Sequence, residues 1–196
     1  GRTFGNGSSP EATADAFRQQ YAAVLGALPN ELEAGSLLKN GNNTTGVMYN
    51  ELTGDYKFTL VYYTQHRDGL PVFRSDLRLL VKNEANYPLV LASSGLRDLG
   101  DFTVANKGAY QFDLAKSNAL GAHPGLTEFT EPIEVIYAGY DAVDYEPTRA
   151  IQFWGLSDFP ERWFFVAADL LTSLCVPQHH IVVSGGSSST TMINGR

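Results

Sequence analysis

The sequence predicts an α+β protein of two units, each a helix packed on an antiparallel β-sheet. Two observations carry this reading. A helical apolar pattern followed by strand patterns occurs twice, near residues 9–94 and near 113–183. The strand stretches are short and bounded by Gly, Asn, Asp and Pro, the residues that turns demand. A helix and a sheet each have one apolar face to bury, so laying one across the other in duplicate is the economical arrangement. No letter-level repeat relates the halves. The expected organisation is a flexible arm at 1–8, a first unit at 9–100, a second at 101–183 and a Gly/Ser-rich tail or linker at 184–196.

Ser9 followed by Pro10 reads as a helix start, with Ser as N-cap, Pro at the first helical position and Glu11 in the first turn. Phe17, Tyr21, Val24, Leu25 and Leu28 recur at helical spacing and predict one buried stripe, stopped by Pro29-Asn30. Leu32–Leu38 is ambiguous, and Lys39–Gly46 (KNGNNTTG) reads as a loop. Strands are predicted at Val47–Glu51, Tyr56–Gln65, Ser75–Lys82 and Tyr87–Ser94, with turns at Leu52–Asp55 and Asn83–Asn86. Leu77, Leu79 and Val81 alternate with Arg78, Leu80 and Lys82, the period-2 pattern of a half-buried strand. In the second unit Asp113–Ala122 predicts a short helix with Leu114 and Leu120 inward. Ile133–Ala138, Arg149–Trp154 and Arg162–Ala168 predict strands.

Composition narrows the function. With 43% hydrophobic and 12% aromatic residues the chain is expected to build a packed core. Lys plus Arg number 14 against 21 Asp plus Glu, a net charge of −7 without basic clusters. Neutralising phosphates needs such clusters, so the composition argues against nucleic acid and anionic membrane surfaces as partners. No apolar run reaches the about 18 residues a membrane span needs. There is no signal peptide, and the chain starts at Gly1 without Met, which is expected from cleavage of an N-terminal targeting segment. The single cysteine, Cys175, excludes an internal disulfide. Asn6, Asn42 and Asn43 head Asn-x-Ser/Thr triplets and are candidate glycosylation sites. Triplets of this kind also arise from loop composition alone, which is the simpler reading.

The stretch Phe58–Leu79, FTLVYYTQHRDGLPVFRSDLRL, is the most specific in the chain. It reads as a strand, a tight turn in which Gly69 supplies a positive φ, Pro71 at the turn exit, and a return strand. Ser75 or Asp76 is expected to bond the turn backbone. Gln65, Gly69, Pro71, Val72, Phe73, Ser75, Asp76 and Leu77 follow the order Q…G-x-P-V-[VF]-x-S-[DE]-L. This resembles the FTP and PepSY propeptide modules of thermolysin-like and fungalysin-like metalloproteases. The resemblance extends over about residues 9–183. Residues 9–26 lie where such propeptides have an Ala-rich helix with a buried aromatic. ALGAHPG falls at the second Ala-rich helix, Arg149–Trp154 is similar to the L-A-W strand, and Pro160–Val166 to the final W-x-x-F-V strand. Two departures stand out. The family often carries Gly where this chain has Arg74. Its last hairpin usually reads D-A-x-T-G-E, where this chain has Ala167–Ser173 without Gly.

The resemblance implies two cystatin-like units and no chemistry of their own. In this reading the motif residues build the hairpin and mark no active centre. The H-E-x-x-H that holds zinc in such proteases is absent: none of His66, His123, His179 and His180 is followed by Glu. His179 and His180, adjacent on a strand, would point to opposite faces. Cys175 lacks an orienting partner and reads as a small core residue. No G-x-S-x-G elbow surrounds Ser184 or Ser187–Ser189, which read as linker serines. No P-loop or G-x-G-x-x-G opens a helix. Asp141, Asp144 and Glu146 lack the spacing of a calcium loop and read as a solvated acidic turn. The nine aromatics Tyr49, Tyr56, Tyr62, Tyr63, Phe73, Trp154, Trp163, Phe164 and Phe165 are expected to be mostly core, with an exposed subset facing a protein partner.

The expected function is therefore a non-catalytic, exported module without cofactor or metal that inhibits a secreted zinc metalloprotease or assists its folding. The alternative is a structural or adhesive subunit of an extracellular filament or cell surface. Its partners would be copies of itself, joined through the terminal arms.

Overall fold

A computed structural model describes residues 5–35, 41–104, 112–140, 143–157, 161–167, 175–184 and 187–191. The fold is α+β. Two α-helices and eleven strands lie among the described residues, and the chain divides into two compact units, Gly1–Thr103 with Tyr140–Asp144, and Val104–Gly139 with Tyr145–Arg196.

In the first unit α1 spans Pro10–Tyr21, and the Ser9 hydroxyl accepts a hydrogen bond from the Ala12 amide at 3.1 Å. Thr13, Ala14 and Phe17 form its buried face. Of the expected apolar stripe, Phe17 is buried and Tyr21 and Leu25 pack partly buried against the core, but Val24 and Leu28 do not. The chain tightens into a 3-10 turn at Ala22–Leu25, and Gly26, at φ 91°, closes it. Three residues per turn in place of 3.6 shifts the phase. Ala22 and Ala27 turn inward, while Leu28 is exposed and Val24 is 81% exposed.

A short 3-10 turn, Pro29–Glu31, leads into β1, Leu32–Ala34. β2 is Thr44–Asn50, so Thr44–Gly46, expected as loop, are strand. β3 is Asp55–Arg67, β4 Leu70–Lys82 and β5 Leu89–Ser94. β3 pairs with β1, β2 and β4, and β4 pairs with β5, all antiparallel. The β3–β4 connection is Asp68-Gly69, with φ of 52° and 80°. Both central residues are left-handed, the geometry whose twist matches paired strands and the reason Asp-Gly suits it. Val61, Tyr63, Leu77, Leu79 and Val81 lie on one face of the sheet and pack with Ala14 and Phe17 of α1.

Residues 5–8 are not a loose arm. The Gly7 amide donates to the Asn86 carbonyl at 3.0 Å, and the Leu89 amide donates to the Gly5 carbonyl at 3.3 Å. A Cβ at Gly7 would lie 2.6 Å from the Thr13 nitrogen, so only glycine permits this approach.

In the second unit α2 is Phe112–Ala122, followed by β6 (Leu126–Phe129), β7 (Ile133–Tyr140), β8 (Val143–Ser157), β9 (Glu161–Ala167), β10 (Cys175–Ser184) and β11 (Ser187–Thr191). β7 to β11 are neighbours in that order, with β6 also on β8. Leu114 and Leu120, expected inward, are exposed. Ala115 and Ala119, one turn apart, are buried instead. They meet Ile151, Phe153 and Leu126, with Phe112 and Phe129 packed against the cluster. The Phe153 ring lies 5.3 Å from Phe112 and 6.0 Å from Phe129. The sheet supplies the bulk, so the helix contributes small residues. Arg149 reaches both oxygens of Glu134, at 3.0 and 2.9 Å, across β7 and β8.

Ser184 and Ser187–Ser189, expected as linker, pair in β10 and β11 through Ser184↔Ser187, Val183↔Ser188 and Val182↔Ser189. The ladder satisfies backbone groups that a linker leaves to water.

Candidate protein-contact surface

The motif residues converge on one buried polar group. Gln65 is fully buried. Its side-chain amide donates to Glu31 Oε2 at 3.1 Å and to the Arg97 carbonyl at 2.9 Å. Its carbonyl oxygen accepts from the Ser75 hydroxyl at 2.5 Å and from the Arg97 amide at 2.9 Å. Glu31, 6% exposed, also accepts from the Leu28 amide at 3.1 Å and from Arg67 Nε at 2.7 Å. Arg67 Nη2 donates to the same carboxylate. Arg67 Nη1 donates to the carbonyls of Gly100 and Phe102, at 2.8 and 2.9 Å. A buried ion pair contributes only when its remaining polar atoms are satisfied, and this one is held on every side.

Ser75 therefore bonds Gln65, and Asp76 bonds Tyr62 and Arg78; neither reaches the turn backbone as expected. Val72 and Phe73 are buried, Gly69 turns the chain, Pro71 pairs with His66, and Leu77 pairs with Tyr63 in the core. Between the pairs Thr64↔Asp76 and His66↔Pro71 the register shifts, so Val72–Ser75 bulge opposite Gln65 alone. Arg74, within this bulge, has φ 50°, the left-handed region that favours glycine.

The face of this sheet opposite α1 is the candidate contact surface. Cross-strand pairs Thr45↔Leu60, Leu60↔Leu80 and Leu80↔Leu91 align an apolar row across four strands, with Val47↔Phe58 beside it. Leu60, Leu80, Val47 and Phe58 are half-buried, and Leu91 is 58% exposed. Next to this row the Tyr62 hydroxyl donates to Asp76 Oδ2 at 3.1 Å, Arg78 Nη2 donates to the same oxygen at 2.6 Å, and the Arg78 guanidinium lies 5.8 Å from the Tyr62 ring centre. Burial, then the Asp76 carboxylate, pushes the Tyr62 phenol up to about 12. Hydrogen bonding to Asp76 raises Arg78. Both groups hold a fixed charge state near neutrality. The surface is apolar in the middle and polar at its side, which suits a protein contact.

Of the other candidates, His66 Nδ1 lies 3.7 Å from Glu33 Oε2, with the Glu33 side chain largely in water. His123 closes the end of α2 through its amide, 2.8 Å from the Ala119 carbonyl. His179 and His180 lie in β10, where Pro177/His179 marks a register shift. Their side chains and that of Cys175 lie outside the described residues, as does Asp141. Asp144 pairs with Arg97 at 3.1 Å, and Glu146 is exposed. Among the described residues no group of three or more His, Cys, Asp or Glu gathers to hold a metal, and no helix is long and apolar enough to cross a membrane. Asn6 and Asn42 are exposed, and Asn43 is half-buried, with its carbonyl accepting from the Tyr62 amide at 2.8 Å. Of the nine aromatics, Tyr63 and Phe73 are core, Tyr49 and Tyr56 are exposed, and the side chains of Trp163, Phe164 and Phe165 lie outside the described residues.

Sequence reasoning missed the partners of Gln65, because Glu31 and Arg97 lie 34 and 32 positions away. It also missed Met48 and Leu52, exposed apolar residues beside the two tyrosines. Leu52 inside a turn, among Glu, Thr, Gly and Asp, was the available signal.

No protein-family model matches the chain, and neither a curated protein nor a solved structure matches it.

Proposed function

We propose that this chain is a non-catalytic, protein-binding module of the propeptide type, which inhibits a secreted zinc metalloprotease or assists its folding. The observation that carries the reading is the helix-free sheet face, with its row Thr45–Leu60–Leu80–Leu91 ending on exposed Leu91. In this reading the two units are cystatin-like, a helix supporting one face of each sheet while the other face meets the partner. The partner is a metalloprotease domain, the setting is extracellular after removal of a targeting segment, and no cofactor takes part. The Gln65 network supports the role by fixing the base of the hairpin, so the contact face needs little ordering on binding. A module that binds the native protease and not its unfolded chain stabilises it by mass action.

The test is hydrolysis of a peptide substrate by thermolysin-like and fungalysin-like proteases with the purified chain added. Saturable inhibition that Leu91→Asp weakens supports the proposal. Unchanged hydrolysis and unchanged refolding yield for both protease classes overturn it. Large regular assemblies in light scattering, in place of a species near 21.4 kDa, would put the filament or surface-subunit reading first.

A further inference from the structure

At the end of the first unit away from Asp68-Gly69, the tip between β2 and β3 is apolar where turns are usually polar. Met48, Tyr49 and Tyr56 are exposed, and Leu52 is 97% exposed. The tip is also hydrogen-bonded within itself. The Leu52 amide bonds Asn50 Oδ1 at 3.1 Å, and the Gly54 amide bonds the Asn50 carbonyl at 2.9 Å, with Gly54 at φ 73°. Tyr49 and Tyr56 meet edge to face at 5.1 Å. A cleft of about 700 Å³ opens here, and an adjoining one of about 420 Å³ shares Asp55, Tyr56 and Asn83 with it.

The charges around these clefts are unequal. Lys82 is occupied by Glu84 at 2.5 Å, and Lys57 lies over the Phe58 ring at 5.4 Å. Glu11, Glu51 and Asp55 line the clefts and form no ion pair among the described residues. Exposed tyrosine faces beside unpaired carboxylates attract a cation in two ways, through the ring quadrupole and through charge. Met48 and Leu52 add apolar area for its neighbours.

We infer that this tip captures a lysine- or arginine-bearing apolar segment of the protein partner. The inference rests on the reading of the chain as a protein-binding module, and it names the chemistry of the partner at a second contact. The cation sits between the tyrosine rings and the Glu51 and Asp55 carboxylates, and flanking aliphatic side chains cover Leu52. Net acidity of the whole chain, −7, steers the same segment towards it.

The experiment is a ¹⁵N NMR titration of the full chain with three capped pentapeptides, Leu-Lys-Leu-Arg-Leu, Leu-Ser-Leu-Ser-Leu and Leu-Glu-Leu-Glu-Leu. Expected are saturable shifts confined to residues 44–57 and 82–84. The cationic peptide should bind about tenfold tighter than the neutral one, and binding should weaken in high salt. Leu52→Ser should leave the denaturation midpoint unchanged, as surface changes do, and lose the binding. Glu51→Lys combined with Asp55→Lys should reverse the peptide preference. No saturable shift, equal affinity for the acidic peptide, or shifts elsewhere in the chain overturn the inference. Protease inhibition is read separately: a chain that inhibits but ignores the cationic peptide loses only this inference, and one that binds the peptide but leaves every protease untouched loses only the proposed function.

Discussion

At the turn end of the β3–β4 hairpin, Glu31 and Arg67 are buried together, and Gln65 and three backbone carbonyls complete their bonding. At the other end of the same strands Leu52 and two tyrosines are exposed beside carboxylates that form no ion pair among the described residues. One pair of strands thus joins a closed end, where polar groups are inside and bonded, to an open end, where apolar groups are outside and uncovered. Stability is concentrated at the first and contact chemistry at the second. A rigid base is what lets an exposed tip be presented without loss of order.

The largest expected effect falls at the closed end. Glu31→Ala removes the carboxylate that pairs with the Arg67 guanidinium and one of the two acceptors of the Gln65 amide, and should cost about 3–5 kcal/mol in chemical denaturation. A cost below about 1 kcal/mol would remove the contrast between the two ends.

Midway along the strands the contrast can be read by pH. Tyr62 has a phenol raised from 10.0 to about 12. A raised value favours the protonated form in the folded state, so its contribution is fully present below pH 10 and is lost as pH rises towards 12. Because the ring is only about half shielded from water, the loss should be on the order of 1 kcal/mol. Comparing wild type with Tyr62→Phe by denaturation at pH 9 and pH 12 isolates it; parallel losses in both proteins would assign the change to other groups.

The smallest effect has the opposite sign. Arg74 occupies the left-handed region at φ 50°, and Arg74→Gly should relieve that strain. The entropy glycine adds to the unfolded chain offsets part of the gain, leaving about 0.5–1 kcal/mol of added stability. A loss of stability would show that Arg74 makes contacts worth more than its backbone strain.

Local chemistry was legible in the sequence wherever it decides structure by itself. Ser9 and Pro10 set the helix start, Asp68-Gly69 the turn, and Leu77, Leu79 and Val81 the buried face, all through interactions within a few residues. The stripe through Val24 was misread because a 3-10 turn changed the period, and nothing in Ala22–Leu25 announces that tightening. Leu114 and Leu120 were misread because the face of α2 that is buried is the one whose small Ala115 and Ala119 admit Phe153, which lies 38 and 34 positions further on. The Gln65 network was illegible for the same reason: its members become neighbours only when the sheet closes. The apolar tip was visible as letters, yet aromatics in strands are ordinarily core, and only the fold separates Tyr49 and Tyr56 from Tyr63.

Gln65 and Arg67 find their remaining partners at Arg97, Gly100 and Phe102, and this sets a clock on synthesis. A nascent chain that has emerged only as far as β5 already holds both arms of the hairpin together with Glu31 and Ser75, but Gln65 would lack its two backbone partners at Arg97 and Arg67 Nη1 its carbonyl acceptors. The hairpin base completes its bonding only when the segment through Phe102 is outside the ribosome, so part of the first unit's stability arrives after both strands have been made.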